Sequence, residues 1–243
     1  MRNAIITSLR AILTCNFTAL DQIIFQHRFL RMEWTANLSL SMRPFRSCLL
    51  QQKIYTNCLS PLFDQCQRSS VVAVKVIRLD MSLVEELLRA DQDLRVIHLV
   101  RDPRGMMESY RRIGVPKQTN EQMRISADIA CKRMLEDCIA RRRLGTMYPG
   151  RTLLVRYEDL ATATDRVLSD IYNWLLNLAV PESVRKGMNS QLYAHSQDGS
   201  MGTKRKNGTA TAYKWKHTID GKYLAYVNKT CRHVLHLLNY DKN

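Results

Sequence analysis

Arg101, Asp102, Arg104 and Ser109 stand close together in the stretch RVIHLVRDPRGMMESYRR, residues 95–112. Guanidinium groups grip phosphate or sulfate through a two-pronged fork, and a nearby hydroxyl adds a further donor. Before them runs Val96, Ile97, Leu99 and Val100, with the length and β-branched content of a buried strand. Asp102 is a natural N-cap and Pro103 suits a first helical position, so a helix should begin there. Helix N-termini favour anions because their first amides point outward unpaired. A strand that ends in guanidinium at such a junction suits a phosphate or sulfate. Ser109 lies two turns into the helix, too deep for the first-turn amides, and would reach an anion only along the helix flank. The alternative is structural: Arg101 pairs with Asp102 or another carboxylate, and Ser109 has no partner in chemistry.

A second basic stretch is MGTKRKNGT, residues 201–209, where two glycines flank Lys204, Arg205 and Lys206. Glycine lets backbone N–H groups approach an anion and the cations neutralise it. A solvated basic loop is the competing reading, and Asn207 opens a glycosylation sequon inside it. In VRYEDL, residues 155–160, Glu158 and Asp159 could be acid–base groups. More plainly, they cap a following helix and hold Arg156 or another arginine. His98 sits in an apolar run and reads as a satisfied core histidine; His27, His195, His217, His233 and His236 have no singling pattern.

The elements that must position these groups alternate. SVVAVKVIRL, residues 70–79, predicts a strand, SLVEELLRADQDL a helix capped by Ser82, and RTLLVRYEDL a further strand. A long helix is expected from Glu121 to Leu144, stopped by Gly145, and another through ATDRVLSDIYNWLLNL. The order implies an α/β fold: a parallel sheet flanked by helices, with ligands at the carboxyl ends of strands, where Arg101 and Arg156 lie. Residues 1 to about 45 read as helices, 46 to 68 as irregular, the stretch from Ser190 as loop, and Gly221 to Leu238 as one final helix.

The 243 residues carry 37 Lys and Arg against 22 acidic residues, a formal charge of +15. That balance predicts an anionic partner without choosing among nucleic acid, membrane, phosphorylated cofactor and acidic glycan. The basic segments lack the interleaved aromatics and recognition helix expected of a nucleic-acid binder, so none is expected. No apolar run reaches the roughly 18–20 residues that span a bilayer. Of seven cysteines, Cys48, Cys58 and Cys66 cluster as in a disulfide-tied region, with buried thiols the alternative. Cys131 and Cys138, about 10.5 Å apart on one helix, cannot bridge each other. No metal-ligand spacing is present, so no metal is expected. Sequons at Asn16, Asn37, Asn207 and Asn228 point to the secretory pathway.

VIHLVRDPRGMMESYRR resembles the 3′-phosphate-binding segment of the Golgi carbohydrate sulfotransferases that sulfate galactose or N-acetylglucosamine. VAVKVIRL, LLVRYEDL, GTKRKNGTATAYKW and the final C…LLNY are similar, in the same order, to later segments of those enzymes. The resemblance covers about residues 60–243. It implies one sulfotransferase-type domain over 1–243, in which 1–66 is helical, irregular and only weakly similar, and 67–243 is the core. It implies 3′-phosphoadenosine 5′-phosphosulfate as co-substrate, bound by Arg101 and Ser109 at its 3′-phosphate. Arg205, Thr203 and Lys206 would belong to a loop closing over it, with Trp215 the aromatic after that loop. The acceptor would be a sugar hydroxyl of a glycan or proteoglycan, and the location the Golgi lumen or membrane. The family's Gly-rich Arg-Thr-Gly-Ser loop, which follows its first strand and holds the 5′-phosphosulfate, is not found, and the first 45 residues contain no glycine. The expectation is therefore a P-loop-like sulfotransferase fold, N-terminally truncated, that lacks its first strand, phosphosulfate loop and membrane anchor, with impaired transfer. A non-catalytic basic module binding sulfated glycan or nucleotide is the other reading.

Overall fold

The computed structural model describes residues 2–21, 24–25, 42–52, 54–77, 79–113, 119–195 and 204–241. The chain forms two compact units, Met1–Leu79 and Asp80–Asn243, which are taken separately.

In the first unit, α1 (Arg2–Leu13) turns Ile6, Leu9 and Ala11 inward. The stretch expected to be irregular is instead largely helical: α2 (Met42–Gln51), a 3₁₀ turn over Tyr55–Cys58 and α3 (Ser60–Gln67). Two disulfides, Cys48–Cys58 and Cys15–Cys66, tie these short pieces together. Phe25, Phe45, Leu49, Cys58 and Leu59 form the core they enclose. Helices this short are marginal alone, and the cross-links and shared core supply what their own periodicity does not. The β-branched run from Ser70 makes no ladder among the described residues, and Val76 and Ile77 are exposed. The expected strand is thus not formed. β-propensity measures fit to a pleated, half-buried surface, and among the described residues no strand pairs with this run to make one.

In the second unit a 3₁₀ turn, Met81–Leu83, leads into α4 (Val84–Ala90). Ser82 is inside that turn and does not cap; Asp137 Oδ1 accepts the Met81 N–H at 2.7 Å. Two strands, β1 (Val96–Val100) and β2 (Thr152–Arg156), pair in parallel with Val100 opposite Arg156. Between them come α5 (Pro103–Ile113) and the long α6 (Asn120–Met147). A capping box joins Thr119 and Gln122 at the start of α6. The helix runs through Gly145, which was expected to stop it. The turn falls instead at Gly150, the position whose φ of +73° needs a glycine.

Then follow α7 (Tyr157–Thr162), α8 (Thr164–Leu176), α9 (Glu182–Leu192), α10 (Gly208–Tyr213), a 3₁₀ turn over Lys214–His217, α11 (Gly221–Thr230) and α12 (Arg232–Leu237). The region from Ser190, expected as loop, is therefore partly helical. The single final helix is two, separated at Cys231. That cysteine bridges to Cys131 on α6, as Cys138 remains a buried free thiol. The core lies where α6, α11 and α12 cover one sheet face, with Val100, Ala127, Val227, Val234 and Tyr240 buried. Ile97 and Leu99 on the other face of β1 are exposed. Among the described residues no helix is long and apolar enough to cross a membrane, and no cluster of His, Cys, Asp and Glu could hold a metal ion.

Candidate functional site

β1 ends at Val100 and delivers Arg101 and Asp102 to the start of α5. Asp102 caps that helix as the sequence predicts, its Oδ1 accepting the Arg104 N–H at 2.8 Å. The Arg104 side chain then folds back on the same carboxylate, Nε to Oδ1 at 3.0 Å and Nη2 to Oδ2 at 2.7 Å. Nη2 also donates to the Tyr240 carbonyl at 2.7 Å. So the arginine that pairs with Asp102 is Arg104, and the helix N-terminus is occupied from within.

Arg101 is thereby left over. Its guanidinium lies 4.7 Å from the Tyr157 ring centroid, and its buried Nε has no hydrogen-bond partner among the described residues. Ser109 is half-buried two turns along α5, also without a hydrogen-bond partner among the described residues. No direct bond links Arg101 to Ser109. Beside Ser109, the buried Glu108 is held by Arg111 through two bonds of 2.8 and 2.9 Å.

Behind this junction is a buried polar network. Glu158 Oε1 accepts the Asp102 N–H at 3.0 Å, and Oε2 accepts the Tyr240 hydroxyl at 2.6 Å. Burial first, and then Glu158, push the Tyr240 phenol up from its ordinary value. Arg156 lies 4.1 Å from the Tyr240 ring centroid; its Nε is 3.9 Å from Asp159 Oδ2 and forms no hydrogen bond among the described residues. Glu158 therefore neither caps the following helix nor holds an arginine, the roles the sequence suggests; its partners are a backbone amide and a phenol. Tyr240, which joins the C-terminal segment to both strand ends, has no signal in the sequence beyond its place in LLNY.

The C-terminal basic segment reaches the same helix through Trp215. Its buried ring stacks 4.4 Å from the Arg104 guanidinium and covers Gly105 so closely that a Cβ there would meet Cδ1 at 2.8 Å. Arg205 is fixed by its backbone. Its N–H donates to the Gln191 carbonyl and its carbonyl accepts from Ala194 N, both at 2.7 Å. Its Nη1 donates to the Lys204 carbonyl at 2.9 Å, and Lys206 is exposed. Thr203 lies outside the described residues. Asn207 caps α10, accepting the Ala210 N–H at 2.8 Å, and Thr209 donates to the Ala161 carbonyl at 3.0 Å. Thus the structure joins the strand–helix segment to the aromatic that follows the basic segment. It does not join Arg205 to Arg101 or Ser109 by any bond among the described residues.

His98 is half-buried, and its Nδ1 has no hydrogen-bond partner among the described residues, so it is not the satisfied core histidine the sequence suggests. Burial first, and Arg141 second, lower it to about 4.

Comparison with known proteins fits this arrangement. Residues 21–182 match the model of the sulfotransferase family. Rat carbohydrate sulfotransferase 1 is 30% identical over 197 residues, 73% of this chain and 46% of that protein. Mouse carbohydrate sulfotransferase 3 is 26% identical over 192 residues, 73% of this chain and 40% of the relative. Human carbohydrate sulfotransferase 2 is 21% identical over 237 residues, 80% and 45% respectively. The chain spans about half the length of these curated relatives. No solved structure matches. With a family match over more than half of its residues, and the guanidinium-tipped strand inside that match, the chain belongs to the sulfotransferase family.

Proposed function

We propose that the chain supplies the nucleotide-binding part of an enzyme that transfers sulfate from 3′-phosphoadenosine 5′-phosphosulfate to a sugar hydroxyl of a glycan or proteoglycan, in the Golgi lumen. The observation that carries this is Arg101, whose buried Nε has no partner among the described residues. A desolvated donor is costly to leave unmade, and a phosphate oxygen is the natural acceptor for a guanidinium in this position. Tyr157, already stacked on that group, is a flat surface beside it. Ser109 would add its hydroxyl from the flank of α5. Arg205 and Lys206, and Thr203 ahead of them, would close over the nucleotide from the segment anchored by Trp215.

Sulfuryl transfer needs the sugar oxygen, sulfur and leaving phosphate oxygen in line, with cations on the developing charge. Within these 243 residues nothing matches the Arg-Thr-Gly-Ser loop that would hold the 5′-phosphosulfate. This polypeptide by itself is accordingly expected to hold the 3′-phosphate end and to transfer sulfate slowly or not at all. Calorimetric titration tests the binding reading. 3′-Phosphoadenosine 5′-phosphate should bind at least about 10-fold tighter than adenosine 5′-phosphate, because a charge-assisted contact to the extra phosphate contributes about 1.5–3 kcal/mol. Equal affinities for the two nucleotides would remove the assignment.

A further inference from the structure

A second cationic site stands in the C-terminal unit. A cleft of about 670 Å³ is lined by Arg104, Asn228, Arg232, His233, His236 and Asp241. Its volume is in the range of small-molecule sites, and none of Arg101, Ser109 or Arg205 lines it. Arg104 spends Nε and Nη2 on Asp102 and the Tyr240 carbonyl, while its Nη1 makes no hydrogen bond among the described residues. Arg232 and His233 are exposed and have no ion-pair or hydrogen-bond partner among the described residues. Asp241, the acidic lining residue, is engaged by His236, Nδ1 to Oδ2 at 2.9 Å. Arg232 and His236 stand one helical turn apart on α12, about 5–6 Å between Cβ atoms.

We infer that this cleft binds a sulfate-bearing sugar unit of a glycan chain, outside the nucleotide site. The inference rests on the proposed transferase reading, which makes a partly sulfated chain the enzyme's own product. Sulfate oxygens are acceptors only, and the unshared groups here are donors: a guanidinium edge from Arg104, the Arg232 guanidinium and an imidazole. The fixed Arg104 distinguishes the cleft from a merely solvated basic face, since its side chain is held by four hydrogen bonds and by the Trp215 ring.

The test is calorimetry on the full chain, free of N-linked glycan, with a sulfated chondroitin tetrasaccharide, its unsulfated counterpart and 3′-phosphoadenosine 5′-phosphate. The sulfated tetrasaccharide should bind, the unsulfated one at least about 10-fold more weakly, and saturating nucleotide should not displace it. Arg232→Ala combined with His233→Ala should weaken the sulfated ligand at least about 10-fold and leave nucleotide affinity unchanged. Lys132→Ala with Arg142→Ala, a control pair of exposed cations on α6, should change neither. The inference is overturned by no binding of the sulfated sugar, by equal binding of the unsulfated one, by displacement with nucleotide, or by equal losses in the control pair. Tetrasaccharide-sized single-stranded DNA bound as tightly, with the same dependence on Arg232 and His233, would also overturn it in favour of general polyanion binding. Loss of nucleotide binding alone counts against the transferase reading and leaves the cleft result standing.

Discussion

The Tyr240 hydroxyl donates to Glu158 Oε2 across 2.6 Å, and both side chains are buried. Through Glu158 Oε1 the bond continues to the Asp102 amide at the start of α5. The C-terminal segment, the end of β2 and the end of β1 are thus held by one carboxylate. Tyr240→Phe leaves Oε2 buried and unpaired, and should destabilise the chain by about 1–3 kcal/mol. Urea denaturation checks this; an unchanged midpoint would show that the network is not structural.

Gly105→Ala puts two effects in opposition. Alanine is the better helix former by about 1 kcal/mol. Its Cβ, however, would meet the buried Trp215 ring at 2.8 Å, and a rigid ring cannot yield as a flexible side-chain end does. Overpacking of this kind costs about 1–3 kcal/mol. The expected result is net destabilisation with a shift in tryptophan emission, and partial recovery when Trp215→Leu is added.

Cys131 and Cys231 close a long loop, their separation being 100 residues, while Cys138 is left reduced. Chain entropy assigns such a cross-link about 4.7 kcal/mol. Cys131→Ser should lower the stability by a large part of that, and Cys138→Ser by far less. Thiol titration of the denatured, unreduced chain should give one free thiol; three or more would contradict the pairing.

Stability should fall as the solution is acidified through the histidine range. His98, held at about 4 in the fold by burial and then by Arg141, titrates near 6.5 when unfolded. Its folded pKa is depressed, so the unfolded chain takes up the proton first. The contribution is fully present above pH 6.5 and is lost as pH drops from 6.5 toward 4, up to about 3 kcal/mol. His98→Leu should flatten that part of a urea-midpoint against pH curve; an unaltered slope would exclude His98 as its source.

Much of the site's frame is legible in the sequence, because its signals are local. The apolar run to Val100, the Asp102 cap and Pro103 fix a strand–helix junction with no help from distant residues. In the sequence the partner of Arg101 is open between Asp102 and another carboxylate, since only the fold turns Arg101 toward Tyr157 and brings Arg104 back to the cap. Tyr240 could not be foreseen beside Glu158, as their contact spans 82 residues of sequence. The run from Ser70 misled for the opposite reason: β-branched content describes the strand and says nothing of a ladder partner. Gly145 misled likewise, because a helix tolerates one glycine where packing favours its continuation, and the turn waits for the positive φ of Gly150.

The account rests on Arg101 as the group that grips the 3′-phosphate. The most direct test is the calorimetric affinity of the chain for 3′-phosphoadenosine 5′-phosphate, before and after Arg101→Ala, with urea denaturation of both forms as the fold control. Loss of a charge-assisted contact of about 1.5–3 kcal/mol should weaken binding roughly 10- to 100-fold in Arg101→Ala, with the unfolding midpoint held. An affinity unchanged by removal of that guanidinium, in a variant that stays folded, would contradict the assignment.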